Sequence, residues 1–220
     1  MNIALLNHFE EESPGFYSGL VQRAKRENLK DILNRLKRCG LFDKIVLQTN
    51  IPSVFEKYTD TEIHETSKIT NFGKRLNLIL KKYPECRLFY TGSGSSVFLT
   101  PEKIRKYITA VRYNSVIANN LYSADCFFMR TSKSRFAIDN ISTDNSLPRF
   151  LIENYNLQGI EIKRDEFSLF DIDGPLDLLA LKISGRGGPN LSRFLKNTDI
   201  TNKNVINAMR IFTQRTKEIL

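Results

Sequence analysis

Residues 87–104 read Arg87-Leu-Phe-Tyr-Thr-Gly-Ser-Gly-Ser-Ser-Val-Phe-Leu-Thr-Pro-Glu-Lys-Ile104. Leu88 to Tyr90 is an apolar run with the look of a buried strand. Thr91 to Ser96 is a loop of small residues. A helix follows, with Thr100 as its N-cap, Pro101 at its first position and Glu102 in its first turn. Strand, small-residue loop and helix form the repeating unit of a parallel α/β sheet, whose ligands collect where strands end and loops begin. Gly92, Ser93, Gly94 and Ser95 leave room for a ligand and offer it bare N–H and O–H groups. A short Gly/Ser loop also serves as a plain connection, so the rest of the chain has to decide.

Toward the N-terminus, Asn2 to Leu6 reads as the first strand. It opens into Asn7-His-Phe-Glu-Glu-Glu-Ser-Pro-Gly15. Asn7, His8 and Gly15 are candidates to touch a ligand there. The acidic triplet Glu10–Glu12 repels phosphate and suits a solvated loop. Residues 16–39 carry Leu20, Ala24, Leu29, Ile32, Leu33 and Leu36 at helical spacing, with Gly40 placed to end the helix. Lys44 to Thr49 is a second strand, Ser53 to Tyr58 a short helix and Glu62 to His64 a short strand. A helix from Thr70 to Lys82 opens with Gly73, Lys74 and Arg75, where amides and cationic side chains can meet an anion. The same residues suit an ordinary amphipathic helix.

Toward the C-terminus, Lys103 to Tyr113 is helical and Ser115 to Ala118 is a strand. Asn119-Asn120 at its end can hydrogen-bond a base or sugar, or simply make a turn. Ala124 to Arg130 reads as a buried strand. A helix ending at Tyr155 is entered through Asp144, Asn145, Ser146 and Pro148, and Ile160 to Lys163 is an edge strand. Phe167 to Asp173 reads as the last strand, with Asp171 and Asp173 on one side by period-two alternation. Pro175 and Asp177 start the next helix. Strands alternate with helices, which predicts a three-layer α/β/α fold with a mostly parallel, Rossmann-like sheet over residues 1–183. Residues 184–220 read as a basic linker, Ser184 to Pro189, and a helical extension near Leu191–Asn197 and Asn202–Leu220.

A chain of 220 residues with 41% hydrophobic content, 15 Phe and 8 Tyr can bury one large core. The net charge of +9 suits an anionic partner: a nucleotide, a phosphorylated small molecule or nucleic acid. The basic residues are dispersed, so no basic tail is present. Cys39, Cys86 and Cys126 are odd in number and far apart, which suits reduced thiols used as small apolar groups. With only His8 and His64, a histidine-rich metal site is excluded. No secretory signal or membrane-spanning run is found, and a cytoplasmic protein is expected.

Phe170-Asp-Ile-Asp-Gly-Pro-Leu-Asp-Leu178 resembles the D-x-D-T-P-x-D-L segment of nucleotidyltransferases with a glycosyltransferase-A-like (nucleotide-diphospho-sugar transferase) fold. The molybdopterin-cofactor nucleotidyltransferases and sugar-CMP synthetases belong to that group. Leu99-Thr-Pro101 is similar to the end of the family's L-x-x-D-x-P-x-x-T-P loop, and Phe72-Gly-Lys-Arg75 to its glycine-containing helix start. The resemblance runs from about Asn2 to Leu181. It implies Mg²⁺ on Asp173, with Asp171 beside it, and a structural role for Asp177. It also implies attack of a substrate phosphate or hydroxyl on an NTP α-phosphate, with Lys74 or Arg75 offsetting phosphate charge and Gly92–Ser95 cradling the ligand.

Three departures stand out. Asn7-His-Phe-Glu-Glu-Glu12 replaces the family's glycine-rich triphosphate loop. Thr91-Gly-Ser-Gly-Ser95 lacks its second metal-binding aspartate. Gly174 stands where Thr is usual. Asn119-Asn120 resembles an uncharacterised branch of the fold. The expected function is therefore a divergent Mg²⁺-dependent nucleotidyltransferase. The alternatives are a catalytically inactive binding or regulatory module on the same fold, and a basic nucleic-acid-associated protein.

Overall fold

A computed structural model describes residues 1–12, 14–66, 71–131, 136–165 and 170–200. In chain order the elements are β1 (Asn2–His8), α1 (Phe16–Cys39), β2 (Lys44–Thr49), a 3₁₀ turn (Pro52–Phe55), β3 (Thr61–Glu65), α2 (Phe72–Lys82) and β4 (Arg87–Gly92). Then come α3 (Pro101–Ala110), β5 (Ser115–Ala118), β6 (Cys126–Arg130), a 3₁₀ turn (Asp144–Ser146), α4 (Leu147–Tyr155), β7 (Gln158–Glu161), α5 (Pro175–Ser184) and α6 (Pro189–Lys196). The strands form one seven-stranded sheet in the order β3-β2-β1-β4-β6-β5-β7.

Alternation along the strands builds the two apolar layers. Ile3, Leu5, Leu88 and Tyr90 face one side, where α2 and α4 cover them with Phe72, Leu76, Ile79, Leu147 and Leu151. Ala4, Leu6, Ile45, Leu47 and Phe89 face the other, under Leu29, Ile32, Leu33 and Leu36 of α1 and Ile104 and Ile108 of α3. This is the expected α/β/α sandwich, and the stripe expected along α1 is the face it buries. Gly40 ends α1 at φ 59°, a left-handed conformation that costs glycine little. Thr100 caps α3 by accepting a hydrogen bond from the Lys103 amide. Cys86 and Cys126 are buried, and burial pushes the Cys126 thiol up to about 12, leaving it inert.

The sheet is parallel except at β6, which runs antiparallel to both β4 and β5. Phe89 lies opposite Phe128, and Tyr90 opposite Phe127. Both ring pairs stack at 4.7 Å, one on each face of the sheet. Such pairs add about 0.5–1.5 kcal/mol each beyond their buried area, which favours this neighbour for β4.

Three local expectations are corrected. α3 stops at Ala110 instead of Tyr113, because Val111 turns extended. The short helix expected at Ser53–Tyr58 is the 3₁₀ turn at Pro52–Phe55. Residues 170–173 lie outside the sheet, tied to the central loop by the Ile172 amide donating to the Gly94 carbonyl at 3.2 Å. Residues 167–169 of the strand expected there, and the helix expected over 202–220, lie outside the described residues.

Past Gly185, α6 packs on the α/β body. Leu191 and Leu195 join Leu20, Val21 and Ala24 of α1 in a third apolar cluster. Asp31 of α1, 2% exposed, holds the start of α6. Its carboxylate accepts from the amides of Asn190 (3.0 Å) and Leu191 (2.9 Å) and from the Asn190 side chain (2.8 Å). A carboxylate at a helix N-terminus is favoured by the helix dipole as well. Asp31→Ala strands two amides in a buried place and is expected to cost about 3 kcal/mol. A fall in the urea midpoint without a change in slope is the measurement that checks it.

Candidate functional site

β1 connects toward β2 on one side of the sheet, while β4 borders β1 on the other, so a crevice opens between their carboxyl ends. The loop after β4 forms its floor. The Ser93 amide donates to the Asn7 carbonyl at 3.1 Å. The Asn28 side chain of α1 donates to the Ser93 and Ser95 carbonyls at 2.8 and 3.0 Å, and Arg35 to those of Ser96 and Val97 at 3.1 and 3.3 Å. Ser96 is held at φ 60°, an uncommon conformation for a residue with a side chain, with its hydroxyl 2.8 Å from that of Thr91. The loop carbonyls are thus engaged by α1, while among the described residues the Gly94 and Ser95 amides have no hydrogen-bond partner. Successive free amides of this kind suit an anion.

A cleft of about 430 Å³ lies over this loop. At one end stand three carboxylates, Asp125, Asp171 and Asp173, with Lys25 of α1. Gly94 is where backbone and carboxylate meet. A Cβ there would sit 2.6 Å from Asp171 Oδ1, 2.9 Å from Lys25 Cε and 3.1 Å from the Ile172 carbonyl. Burial, and then the charges of Asp125 and Asp173, raise the Asp171 carboxyl to about 7. Burial likewise raises Asp125. Lys25 opposes both shifts, and its ammonium lies 3.5 Å from Asp173. Asn119 aims Asp125, donating to its carboxylate at 3.2 Å and accepting from its amide at 3.0 Å. Asp177 accepts from the amides of Asp173 and Gly174, both at 2.8 Å, which fixes the turn that carries Asp173 into α5.

The other wall is aromatic and basic. The Arg75 guanidinium lies 4.7 Å from the centre of the Phe9 ring, and burial lowers its pKa. Tyr90 donates to Asp144 and accepts from the Asn7 side chain at 3.1 Å. Burial first, and the Asp144 charge second, push the Tyr90 hydroxyl well above its ordinary range. Ser142 to Asn145 complete this side.

The cleft therefore gathers Asn7, Arg75, Gly92, Ser93, Gly94, Ser95, Asp171 and Asp173 of the residues singled out in the sequence. Gly15, His8, Gly73, Lys74, Asn119 and Asn120 do not line it. Gly73 is packed against the Ile138 backbone, and its amide is taken by Ile141 and Asn71. Lys74 is exposed on α2 and does not line the cleft. Asn120 makes a turn, accepting from the amides of Tyr122 and Ser123 at 2.9 and 3.3 Å. His8 lies behind Ser93, with Nδ1 2.9 Å from the Ser93 hydroxyl and Nε2 3.0 Å from Glu10.

Sequence reasoning missed Asp125, Lys25, Tyr90 and Asp144. An acid next to an apolar run marks a strand start, and in a parallel sheet that end lies away from the site. Antiparallel β6 reverses this. Its first residues come up beside Gly92, whose amide donates to the Asp125 carbonyl at 3.1 Å. A carboxylate absent from the central loop is supplied from the neighbouring strand.

No protein-family model matches the sequence, and no curated protein is similar to it in sequence. Solved structures do share its fold. A nucleotidyl transferase from Methanothermobacter superposes with a TM-score of 0.58 at 11% identity, over 90% of this chain and 99% of that one. A cytidylyltransferase from Leptospira borgpetersenii gives 0.56 at 15% identity, over 89% and 93%. The bifunctional IspDF from Campylobacter jejuni gives 0.57 at 10% identity, over 81% of this chain and 54% of that one, so the chain spans about half of that protein. The chain thus has a nucleotidyltransferase-like α/β fold. Identities this low establish the fold, and the roles of individual residues rest on the cleft itself. Among the described residues no helix is long and apolar enough to cross a membrane.

Proposed function

We propose that the cleft binds an NTP or nucleotide sugar with Mg²⁺ and supports nucleotidyl transfer to a phosphate or hydroxyl acceptor. The observation that carries this reading is the convergence of Asp125, Asp171 and Asp173 with Lys25 and the Gly94 and Ser95 amides in one cleft. The donor set fits the ion. Hard carboxylate oxygens suit Mg²⁺, which takes one or two of them and fills its remaining positions with water and phosphate. The described residues hold no group of three or more carboxylate, histidine or cysteine side chains already placed to hold a metal ion, so a bound ion would draw its remaining ligands from water and the substrate's phosphates. Asp171 and Asp173 would hold it, with Asp125 facing them. When bound, Mg²⁺ would neutralise charge on the phosphates.

The chain's own groups do the remaining work. Lys25 stands where phosphate charge must be offset, a role the sequence had placed on Lys74 or Arg75. Gly94 and Ser95 offer their amides to phosphate oxygens. Arg75, over Phe9, provides a flat cationic surface at the far wall. Thermal unfolding with each NTP, with and without Mg²⁺, tests the reading. At a hundred times Kd a ligand adds about 2.7 kcal/mol, or a rise of roughly 5–10 °C for a chain this size. The rise should be base-selective, need Mg²⁺ and vanish in Asp173→Asn. No rise at millimolar nucleotide overturns it.

A second reading, an inactive binding module, is favoured by the first loop. Glu10 stands at its start, pinned by Asn50 through hydrogen bonds of 3.0 and 2.7 Å, and leaves no glycine loop to wrap a triphosphate. A Mg²⁺-dependent shift without pyrophosphate release in the presence of acceptors would select that reading.

A further inference from the structure

Behind the cleft runs a hydrogen-bonded chain that the nucleotidyltransferase reading does not use. The Ser93 hydroxyl is 2.9 Å from His8 Nδ1, and His8 Nε2 is 3.0 Å from Glu10 Oε1. His8 is 2% exposed, sits edge-on to Phe55 and is screened from the cleft by Ser93. Ser93 is 8% exposed and lines the cleft. Glu10 is held in its ionised form by its hydrogen bond to His8 and by Arg26 at 3.5 Å. An ionised carboxylate only accepts, so the proton on that side belongs to Nε2. In the neutral ring Nδ1 is then left as an acceptor, and the serine hydroxyl donates to it. The pieces are those of a nucleophile, a base and a group that orients the base.

We propose that Ser93 is a nucleophile activated by His8 and Glu10, and that it carries a covalent phosphorus intermediate. The choice of electrophile rests on the nucleotide reading above. Ser93 Oγ forms a bond to the α-phosphorus, the bond from that phosphorus to the bridging oxygen breaks, and pyrophosphate leaves. The hydroxyl proton passes to His8 Nδ1, and Glu10 stabilises the imidazolium. In the second half an acceptor phosphate oxygen attacks the same phosphorus. The Oγ–P bond breaks, and His8 returns its proton to Ser93.

An alkyl fluorophosphonate tests the nucleophile apart from nucleotide binding, since Oγ–P forms as P–F breaks and fluoride departs. Peptide mass spectrometry should find the adduct on Ser93 of the wild-type chain and none at that position in Ser93→Ala. Labelling should slow by about a hundredfold or more in His8→Gln, the usual contribution of a positioned base. Glu10→Gln, on the partly exposed loop, should slow it as well in a protein whose melting curve shows it folded. A folded wild type with no adduct on Ser93, or an adduct formed at an equal rate in both variants, overturns the proposal. If nucleotide raises the melting temperature and Ser93 stays unlabelled, this proposal alone fails. If Ser93 is labelled and no nucleotide binds, the nucleophile stands and the nucleotide falls as its electrophile.

Discussion

Asp171→Asn is expected to raise the stability of the metal-free protein at pH 8 by up to about 4 kcal/mol. An ordinary aspartate titrates at 3.8, and burial beside Asp125 and Asp173 brings this one to about 7. Between those values the folded protein keeps a proton that the unfolded chain has released. Stability therefore falls as pH rises from about 4 to about 7, and levels off above. Asparagine has no such proton to lose, so the variant's curve lacks this descent. Near the Tm a gain of this size is worth roughly 10 °C. Melting curves at pH 5 and pH 8 in the presence of a chelator decide the matter. The variant's advantage should be smaller at the lower pH, where about a third of the descent has occurred, and full at the higher. The same variant should lose the Mg²⁺-dependent nucleotide response, a trade of function against stability common at charged sites. Equal melting temperatures at pH 8 would show that the carboxylates do not strain one another.

Gly73→Ala is expected to destabilise the fold by about 3 kcal/mol or more, although alanine is the better helix former by about 1 kcal/mol. A Cβ at this position meets the Ile138 carbonyl oxygen at 1.7 Å and its carbon at 2.7 Å. These are backbone atoms and cannot rotate away. The contact is reinforced by the Gly73 amide, which donates to the Ile141 carbonyl at 2.8 Å, and by Phe72, which donates to Ser142 at 3.4 Å. Separating the two backbones therefore moves residues 138–145, which carry the Ser142–Asn145 wall of the cleft. A lower urea midpoint together with a weakened nucleotide response is the expected pair of observations. Unchanged stability would mean that the two segments separate freely. The glycine at the helix start thus serves packing, while Arg75 two residues on reaches the cleft.

Most of the architecture was legible because it follows from local rules. Alternating apolar residues, the Thr100-Pro101 helix start and Gly40 at a helix end each carry their own signal. The Gly92–Ser95 loop stands out by its small residues, and at Gly94 the close approach of Asp171 and Lys25 leaves no room for a Cβ. Asp171 and Asp173 were found through a short motif, and both line the cleft. The assignments that moved are those whose meaning depends on a distant partner. A paired asparagine reads the same whether it faces a ligand or a neighbour: Asn119 aims Asp125, and Asn120 closes a turn. Gly73 and Lys74 suit an anion site by residue type, and the position of Ile138 decides otherwise. His8 gives no local sign that a serine 85 positions later lies against it.

The sequence by itself determined the alternation of strand and helix, the two apolar faces of the sheet and the small-residue loop that lines the cleft. All of these are encoded within a few residues of one another. Only the tertiary structure decided which charges meet. β6 pairs antiparallel with β4, so its beginning arrives where β4 ends, and Asp125 enters the cleft that the central loop leaves short of a carboxylate. Phe127 and Phe128 stack on Tyr90 and Phe89 across this pairing, an interaction between residues 37 to 39 positions apart. No local pattern records it.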